Sequence, residues 1–180
     1  EKKLKYIICV SRLTKRKGIE ELIESFSDCI NLDQSLRMIL IGYGKNEGKI
    51  YELINSQKIN KFIKIIKNCD NPYPYIKKSD LFILKSKYEG FANVIVESIY
   101  LDTPVISTNC NSGPSEILLN GKGGKLIKVY NNRNILSKEI IKFFKDKKSL
   151  VKKNKFAKSN LKRFSVENNV NEFNKLFIEI

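Results

Sequence analysis

The stretch that decides the fold of this chain is LFILKSKYEGFANVIVESIYL, residues 81–101. Its first four residues are apolar, which is typical of a short strand buried on both faces. From position 94 onward the apolar residues have the spacing of a largely buried helix, and they are Val94, Val96, Ile99 and Leu101. We therefore predict a strand, a loop and a helix that begins near Asn93.

The loop and the start of this helix form a natural site for an anion. The first N–H groups of a helix have no partner within it, and the positive end of the helix dipole lies there. Gly90 has no side chain, so a ligand can approach the backbone closely. Glu89 on the loop and Glu97 two turns into the helix place carboxylates on both sides of this site. Two acids flanking an anion site indicate a charged ligand that is rich in hydroxyl groups.

The rest of the chain alternates short apolar runs with amphipathic segments. The predicted strands are Tyr6–Val10, Leu36–Ile41, Phe62–Ile66, Leu81–Leu84, Val105–Ser107 and Lys125–Ile127. Helical spacing separates the strands and continues after residue 132. This pattern predicts an α/β fold, a Rossmann-like doubly wound parallel sheet with helices on both faces. In such sheets ligands bind outside the carboxyl ends of the strands, where the loop described above falls.

Several motifs follow one another in order over residues 5–130. They are Val10-Ser11-Arg12-Leu13 with Lys17-Gly18, Ile39-Leu40-Ile41-Gly42-Tyr43-Gly44, Ser79-Asp80-Leu81-Phe82-Ile83-Leu84, Pro104-Val105-Ile106-Ser107-Thr108 and Gly113-Pro114-Ser115-Glu116-Ile117-Leu118. Together with Glu89 and Glu97, which match an E-x7-E motif, they resemble the C-terminal, donor-binding half of retaining glycosyltransferases with the GT-B fold, most closely glycosyltransferase family four. Each motif alone is weak, but their order and spacing make the resemblance specific.

The resemblance implies roles for individual residues. Arg12 and Lys17 match the residues that hold the donor diphosphate during catalysis. Glu89 matches the catalytic residue that contacts the donor hexose and stabilises its developing positive charge, and Glu97 matches the carboxylate that binds both ribose hydroxyls. Backbone N–H groups beside Gly90 are expected to bind the donor phosphates or hexose hydroxyls, and they belong to Phe91, Ala92, Asn93 and Val94. The ring of Phe91 is expected to pack in the core.

Three further segments bear on the ligand. Asn71-Pro72-Tyr73-Pro74-Tyr75 is rigid because of its two prolines, and in the resembled family this region borders the nucleobase. A structural turn explains any one of its side chains, Asn71 included, equally well. Residues 109–116 resemble a loop of family members that transfer galactose or N-acetylgalactosamine type sugars, which favours a UDP-linked donor over a GDP-linked one. In residues 42–48 the third glycine is one place late for a dinucleotide fingerprint, so we expect a tight turn there and no NAD site.

We expect neither a metal nor another cofactor. The chain contains no D-x-D motif, no histidine and no C-x-x-C pair among its four cysteines, which makes a zinc site improbable. Fixed cations can instead stabilise the charge on an expelled diphosphate. The resembled family is proposed to react by front-face substitution, which requires no protein nucleophile in this half. The cysteines are expected to be buried, reduced thiols of a cytoplasmic protein.

The length of the chain indicates one domain of a larger enzyme. A chain of 180 residues fits one domain, whereas an enzyme with two Rossmann domains needs about twice that length. We predict a nucleotide-sugar-binding domain over residues 1–165 and a C-terminal helix over residues 166–180 that crosses to an N-terminal, acceptor-binding domain. That partner domain is expected to be missing, so the isolated domain should bind nucleotide weakly and transfer nothing.

The net charge of +15 is concentrated near the C-terminus, where residues 138–163 contain eleven Lys or Arg and two Asp or Glu. A solvated face, attraction to an anionic membrane and binding of nucleic acid are three interpretations of this segment. We expect no nucleic acid partner, because arginine is scarce and the segment lacks the regular interleaving of aromatic residues that base stacking would favour. A non-catalytic basic module remains an alternative, as does a UDP-sugar epimerase of GT-B architecture, which would need acid/base residues.

The chain shows no signal peptide and no apolar run near the roughly 18 residues of a membrane span. We therefore expect a cytoplasmic enzyme that can meet the inner face of the cell membrane. Its expected substrates are a nucleotide sugar and a saccharide or lipid-linked saccharide acceptor. The resemblance implies bacterial surface polysaccharide synthesis, such as that of lipopolysaccharide or capsule.

Overall fold

Six parallel strands form the centre of the protein, which a computed structural model describes over residues 3–130 and 133–178. The strands are β1 Lys5–Val10, β2 Leu36–Ile41, β3 Ile63–Ile66, β4 Leu81–Leu84, β5 Val105–Thr108 and β6 Lys125–Ile127. Their order in the sheet is β3-β2-β1-β4-β5-β6, with parallel pairing throughout. Each bound lies within one residue of the predicted one, because short runs of apolar side chains suit strands covered on both faces. The predicted doubly wound sheet is confirmed.

Helices cover both faces of the sheet. They are α1 Ile19–Leu32, α2 Glu47–Ser56, α3 Tyr73–Lys78, α4 Asn93–Tyr100, α5 Pro114–Ile117, α6 Arg133–Lys145, α7 Lys148–Ser159 and α8 Val166–Ile178. One core cluster packs Ile7 of β1 against α1, α2 and α6. The other packs Ile8 against α3, α4, α5 and α7. These two neighbouring residues belong to opposite cores because successive strand side chains point to opposite faces.

The sheet changes its direction of growth at β1. The chain passes from β1 to β2 and β3 on one side and then returns to β4 on the other side of β1. Helix α1 packs on one face and α4 on the other. The two loops that lead into these helices are the β1 loop (residues 11–18) and the β4 loop (residues 85–92), and both lie at the carboxyl edge. In such sheets ligands bind outside this edge, and we call the space there the crevice.

The last helix, α8, presents apolar side chains to solvent. Val166, Val170 and Phe173 are all more than half exposed. The division into residues 1–165 and a crossing helix over residues 166–180 stays a prediction. Residues 1, 2, 131, 132, 179 and 180 of these two segments lie outside the described part. Across the two described ranges no helix is long and apolar enough to cross a membrane.

The four cysteines are free thiols, as expected. Cys9, Cys29 and Cys110 are buried, whereas Cys69 is only partly covered. Burial raises the pKa of Cys9 to about 11 and that of Cys29 to about 12. The uncharged thiol therefore predominates at neutral pH, and these two side chains act as small apolar groups in the core.

Candidate functional site

The β1 loop and the β4 loop meet at the topological switch point. The amide of Lys87 donates to the carbonyl of Arg16 over 2.8 Å. Lys17 Nζ lies 2.5 Å from Glu89 Oε1, and the two side chains are only 15% and 11% exposed. Lys17 and Glu89 were predicted as separate contacts for a ligand. The structure joins them in one ion pair between the two loops.

The conformation of the β1 loop depends on a glycine at its end. Residues Lys15–Lys17 form a single 3-10 turn that Gly18 closes at φ 61°. A Cβ on Gly18 would lie 2.4 Å from the backbone oxygen of Lys85. Only glycine adopts this conformation and permits this contact at low cost, and together they direct Lys17 towards Glu89.

Two further glycines, Gly42 and Gly44, support the same loop from the segment after β2. Gly42 has φ 141°, and a Cβ there would lie 2.0 Å from the carbonyl oxygen of Ser11. The amide of Leu13 donates to the carbonyl of Tyr43 over 2.9 Å. The glycines thus serve close packing of two backbones, which supports the interpretation as a tight turn. The β1 loop is held firmly, and it presents the exposed side chain of Arg12 at the sheet edge.

The β4 loop is fastened by the segment that follows β5. Ser112 Oγ donates to the carbonyl of Glu89 over 2.6 Å. Gly113 has φ 80°, and a Cβ there would lie 2.4 Å from the carbonyl oxygen of Gly90. On its other side Gly90 is open, since no atom of the described residues comes within 4 Å of a Cβ placed on it. Gly90 therefore leaves room for a ligand next to the backbone, as predicted.

Helix α4 begins at Asn93, as predicted, and its first turn offers backbone donors. The preceding residue, Ala92, makes no side-chain cap. The amide of Asn93 donates to the carbonyl of Phe91 over 3.0 Å. Of the four N–H groups expected to bind a donor, the amides of Phe91, Ala92 and Val94 are without an acceptor within residues 3–130 and 133–178. These three can bind an anion at the positive end of the helix.

The ring of Phe91 was expected in the core, and that prediction is wrong. The side chain is 44% exposed. Its ring meets Phe164 edge to face at a centroid distance of 5.1 Å, and Phe164 belongs to a 3-10 turn over Leu161–Phe164. The side chains of Ala92 and Ile95 are the ones that face the core at the start of α4, so the ring of Phe91 stays on the outside. It forms part of the rim of the crevice.

Glu97 lies on the side of α4 that faces away from the sheet. Its carboxyl group is half-buried, and burial raises its pKa. Within the described ranges this carboxyl group accepts no hydrogen bond. It lines a mostly apolar cavity of about 700 Å³ together with aromatic residues of α3, α4 and the 161–164 turn, which are Tyr73, Tyr100 and Phe164. A carboxylate of this kind suits a ligand that brings its own hydroxyl donors and an apolar or planar group.

Arg12, Lys17 and Glu89 are not among the residues that line this cavity. It therefore adjoins the crevice without coinciding with it. Asn71 is exposed, and its side-chain oxygen accepts the amide of Tyr73 over 3.1 Å at the start of α3. This is the structural turn that was one of its two interpretations. Within the described ranges the side chain of Asn71 makes no hydrogen bond to the β1 or β4 loop.

Sequence reasoning missed Lys85, which begins the β4 loop. Its side chain is only 1% exposed, its Nζ donates to the carbonyl of Val129 over 3.2 Å, and burial lowers its pKa. The sequence feature that could have indicated this burial is its position two residues after Ile83, which places both side chains on the same face of the chain. A lysine is so seldom buried that strand alternation alone could not predict it. The residue links the switch point to the segment after β6.

These features together define an α/β domain with a doubly wound parallel sheet, in which cations, a carboxylate and a helix N-terminus meet at the switch point. The chain belongs to a particular family of such proteins, Glycosyl transferases group 1, whose sequence model matches residues 1–162. The resemblance of its motifs is thereby confirmed.

One relative is N-acetylgalactosamine-N,N'-diacetylbacillosaminyl-diphospho-undecaprenol 4-alpha-N-acetylgalactosaminyltransferase of Campylobacter jejuni. The two are 30% identical over 160 residues, which cover 89% of this chain and 43% of that enzyme. The chain spans less than half the length of the curated relatives it matches.

Solved structures have the same fold. HepE of Anabaena, in complex with UDP, has a TM-score of 0.85 at 20% identity, and the match covers 98% of this chain and 49% of that one. The C-terminal domain of the glycosyl transferase group 1 family protein LpcC from Francisella tularensis has a TM-score of 0.79 at 19% identity, covering 91% of this chain and 88% of that domain. The chain therefore has the architecture of one half of a GT-B fold.

Proposed function

We propose that this chain is the donor-binding half of a retaining, metal-independent glycosyltransferase. It would move a hexose or N-acetylhexosamine from a UDP-linked donor to a saccharide or lipid-linked saccharide acceptor in bacterial surface polysaccharide synthesis. The observation that carries the proposal is the Lys17–Glu89 ion pair at the switch point, next to the start of α4. It brings a cation for phosphate and a carboxylate for the sugar into one place.

The donor is proposed to span the crevice and reach α4. Arg12 and Lys17 hold the diphosphate from the β1 loop, and the amides of Phe91, Ala92 and Val94 bind it from the other side. Glu97 accepts hydrogen bonds from both ribose hydroxyls, which would supply the partners that its half-buried carboxyl group lacks in the described ranges. The base then extends towards the β3 side, where Asn71 stands.

The proposed reaction is a front-face substitution. The bond between the anomeric carbon and the diphosphate oxygen breaks, and the acceptor oxygen bonds to the same face of that carbon. The acceptor proton passes to the leaving phosphate oxygen, so the reaction needs no protein nucleophile. Glu89 stabilises the positive charge that develops on the sugar, and Arg12 and Lys17 stabilise the negative charge on the leaving group.

The UDP preference and the acceptor class draw support from relatives. HepE was crystallised with UDP, and the Campylobacter jejuni enzyme is named for a diphospho-undecaprenol acceptor. Membership of Glycosyl transferases group 1 also favours transfer over epimerisation. Because the chain spans less than half of its relatives, we propose that a further domain completes the acceptor site and packs against α8.

Calorimetric titration with UDP and with GDP, each with and without magnesium, tests the proposal. Wild-type protein should bind UDP more tightly than GDP and equally well without the metal. Arg12→Ala and Glu97→Ala should each weaken UDP binding by at least about tenfold, since each removes a charge-assisted contact. Matched controls on α2, Lys49→Ala and Glu52→Ala, remove an exposed cation and an exposed carboxylate and should bind like wild type.

Equal losses in the α2 controls would show that overall charge governs binding and would refute the assigned site. If UDP binding depended on magnesium, only the proposed metal independence would be refuted. Turnover of a UDP-sugar by these 180 residues would refute the need for a further domain.

A further inference from the structure

Helix α7 presents an unusual stripe to solvent. Its exposed residues fall on one face, with spacings of three and four, and they include Lys148, Lys152, Lys155 and Phe156. The opposite face is buried through Leu150, Asn154 and Ala157. Phe156 is 47% exposed between two lysines. The stripe therefore combines three cations with one large apolar side chain.

Helix α6 repeats the pattern. Its exposed stripe consists of Ile135, Lys138, Lys142 and Lys145, again one large apolar residue with three lysines. Its opposite face packs into the core through Leu136, Ile140 and Phe143. Two consecutive helices therefore expose the same combination of cations and an apolar side chain. Helix α6 packs on the Ile7 side of the sheet and the C-terminal part of α7 on the Ile8 side, so we treat the α7 stripe by itself and call it the basic face.

The two helices adjoin at the β6 edge of the sheet. Lys142 of α6 and Lys153 of α7 line one small cavity of about 120 Å³ there. The acidic residues beside the junction are already engaged. Glu139 pairs with Lys125 at 2.9 Å, and Asp146 Oδ1 accepts the amide of Lys148 over 3.0 Å. Within the described ranges Lys148, Lys152 and Lys155 form no salt bridge with a carboxylate.

We propose that the basic face docks this domain on a membrane surface that contains anionic phospholipid. Each lysine near such a surface strengthens association by about fivefold. Phe156 can insert at the level of the headgroups while the lysines of α7 remain among the phosphates. The proposal concerns a surface away from the crevice and does not depend on the proposed function, although a lipid-linked acceptor would lie at the same membrane.

Two other partners fit the basic face less well. Its cations are lysines without arginine, and its aromatic residue is single, so neither bidentate base recognition nor a stacking series is provided for nucleic acid. A second copy would bring like charges together in a symmetric dimer, which is unfavourable. An anionic bilayer offers phosphates to the lysines and an apolar layer to the ring of Phe156.

Co-sedimentation with phosphatidylcholine vesicles, with and without phosphatidylglycerol, tests the proposal at low and at physiological ionic strength. The decisive variant is Lys148→Gln/Lys152→Gln/Lys155→Gln. Its matched control, Lys49→Gln/Lys58→Gln/Lys64→Gln, makes the same charge change at exposed positions near the opposite, β3 edge. UDP titration and circular dichroism of every variant verify that the fold and the crevice are intact.

Wild type should bind only the anionic vesicles, and more weakly at high salt. The α7 triple variant should lose roughly 100-fold in partition coefficient, the control triple variant much less, and Phe156→Ala about fivefold. Equal losses in the two triple variants would overturn the proposal, because net charge alone would then explain binding. Absence of vesicle binding, or tighter α7-dependent binding to a single-stranded oligonucleotide, would also overturn it.

Discussion

Replacement of Gly42 by alanine isolates the contact that holds the β1 loop. The new Cβ would stand 2.0 Å from the carbonyl oxygen of Ser11 and 2.9 Å from its carbonyl carbon. Ordinary contacts between such atoms exceed 3 Å, and both are backbone atoms, so no side chain can swing away. The backbone at Gly42 also has φ 141°, which a residue with a Cβ rarely adopts.

The magnitude follows from these two costs. The backbone conformation costs an alanine about 1–3 kcal/mol, and relief of the clash by a backbone shift costs a further 1–3 kcal/mol or so. We expect Gly42→Ala to lower the free energy of unfolding by about 2–6 kcal/mol, a large share of the roughly 5–15 kcal/mol that such domains possess. Because the shift displaces Ser11, it should also move Arg12 and weaken UDP binding.

Urea unfolding followed by circular dichroism measures the change. Gly48→Ala is the matched control, since nothing lies within 4 Å of its added Cβ and the residue lies in α2. The control should be stabilised by about 0.5–1 kcal/mol. A loss below about 1 kcal/mol for Gly42→Ala would refute the close packing of the β1 loop on β2.

Three further predictions concern the crevice and the thiols. Glu89→Gln should release Lys17 from its ion pair and tighten UDP binding by about threefold to tenfold. Lys17→Ala should weaken UDP binding by at least about tenfold. Calorimetry that shows weaker UDP binding by Glu89→Gln would contradict the release of Lys17. An ordinary glutamate has a pKa of about 4.3. Burial raises the pKa of Glu97, so its carboxylate takes up a proton at a higher pH than an ordinary glutamate does. UDP affinity should therefore fall as the pH is lowered through that raised pKa, and a pH series should show no such step for Glu97→Gln. In the native protein Ellman's reagent should titrate one thiol quickly, that of Cys69, and all four after unfolding, because the other three cysteines are buried; rapid reaction of more than one native thiol would contradict the burial of Cys9, Cys29 and Cys110.

The strands and the start of α4 could be predicted from the sequence because their signals are local. An apolar run such as Leu81–Leu84 is buried on both faces wherever the sheet places it, and the spacing of Val94, Val96 and Ile99 specifies a helix without reference to distant residues. The motif residues could likewise be recognised from order and spacing, which led to the family that the chain belongs to.

Several features depended on tertiary structure, because they arise between segments far apart in the chain. Lys17 and Glu89 are 72 residues apart and meet only because β4 lies beside β1 in the sheet. The contact of Gly113 with Gly90 and the burial of Lys85 likewise require the sheet order. Local periodicity determined which residues form strands and helices. The packing of those elements decided which charges pair, which glycines must lack a side chain, and which ring, that of Phe91, stays on the surface.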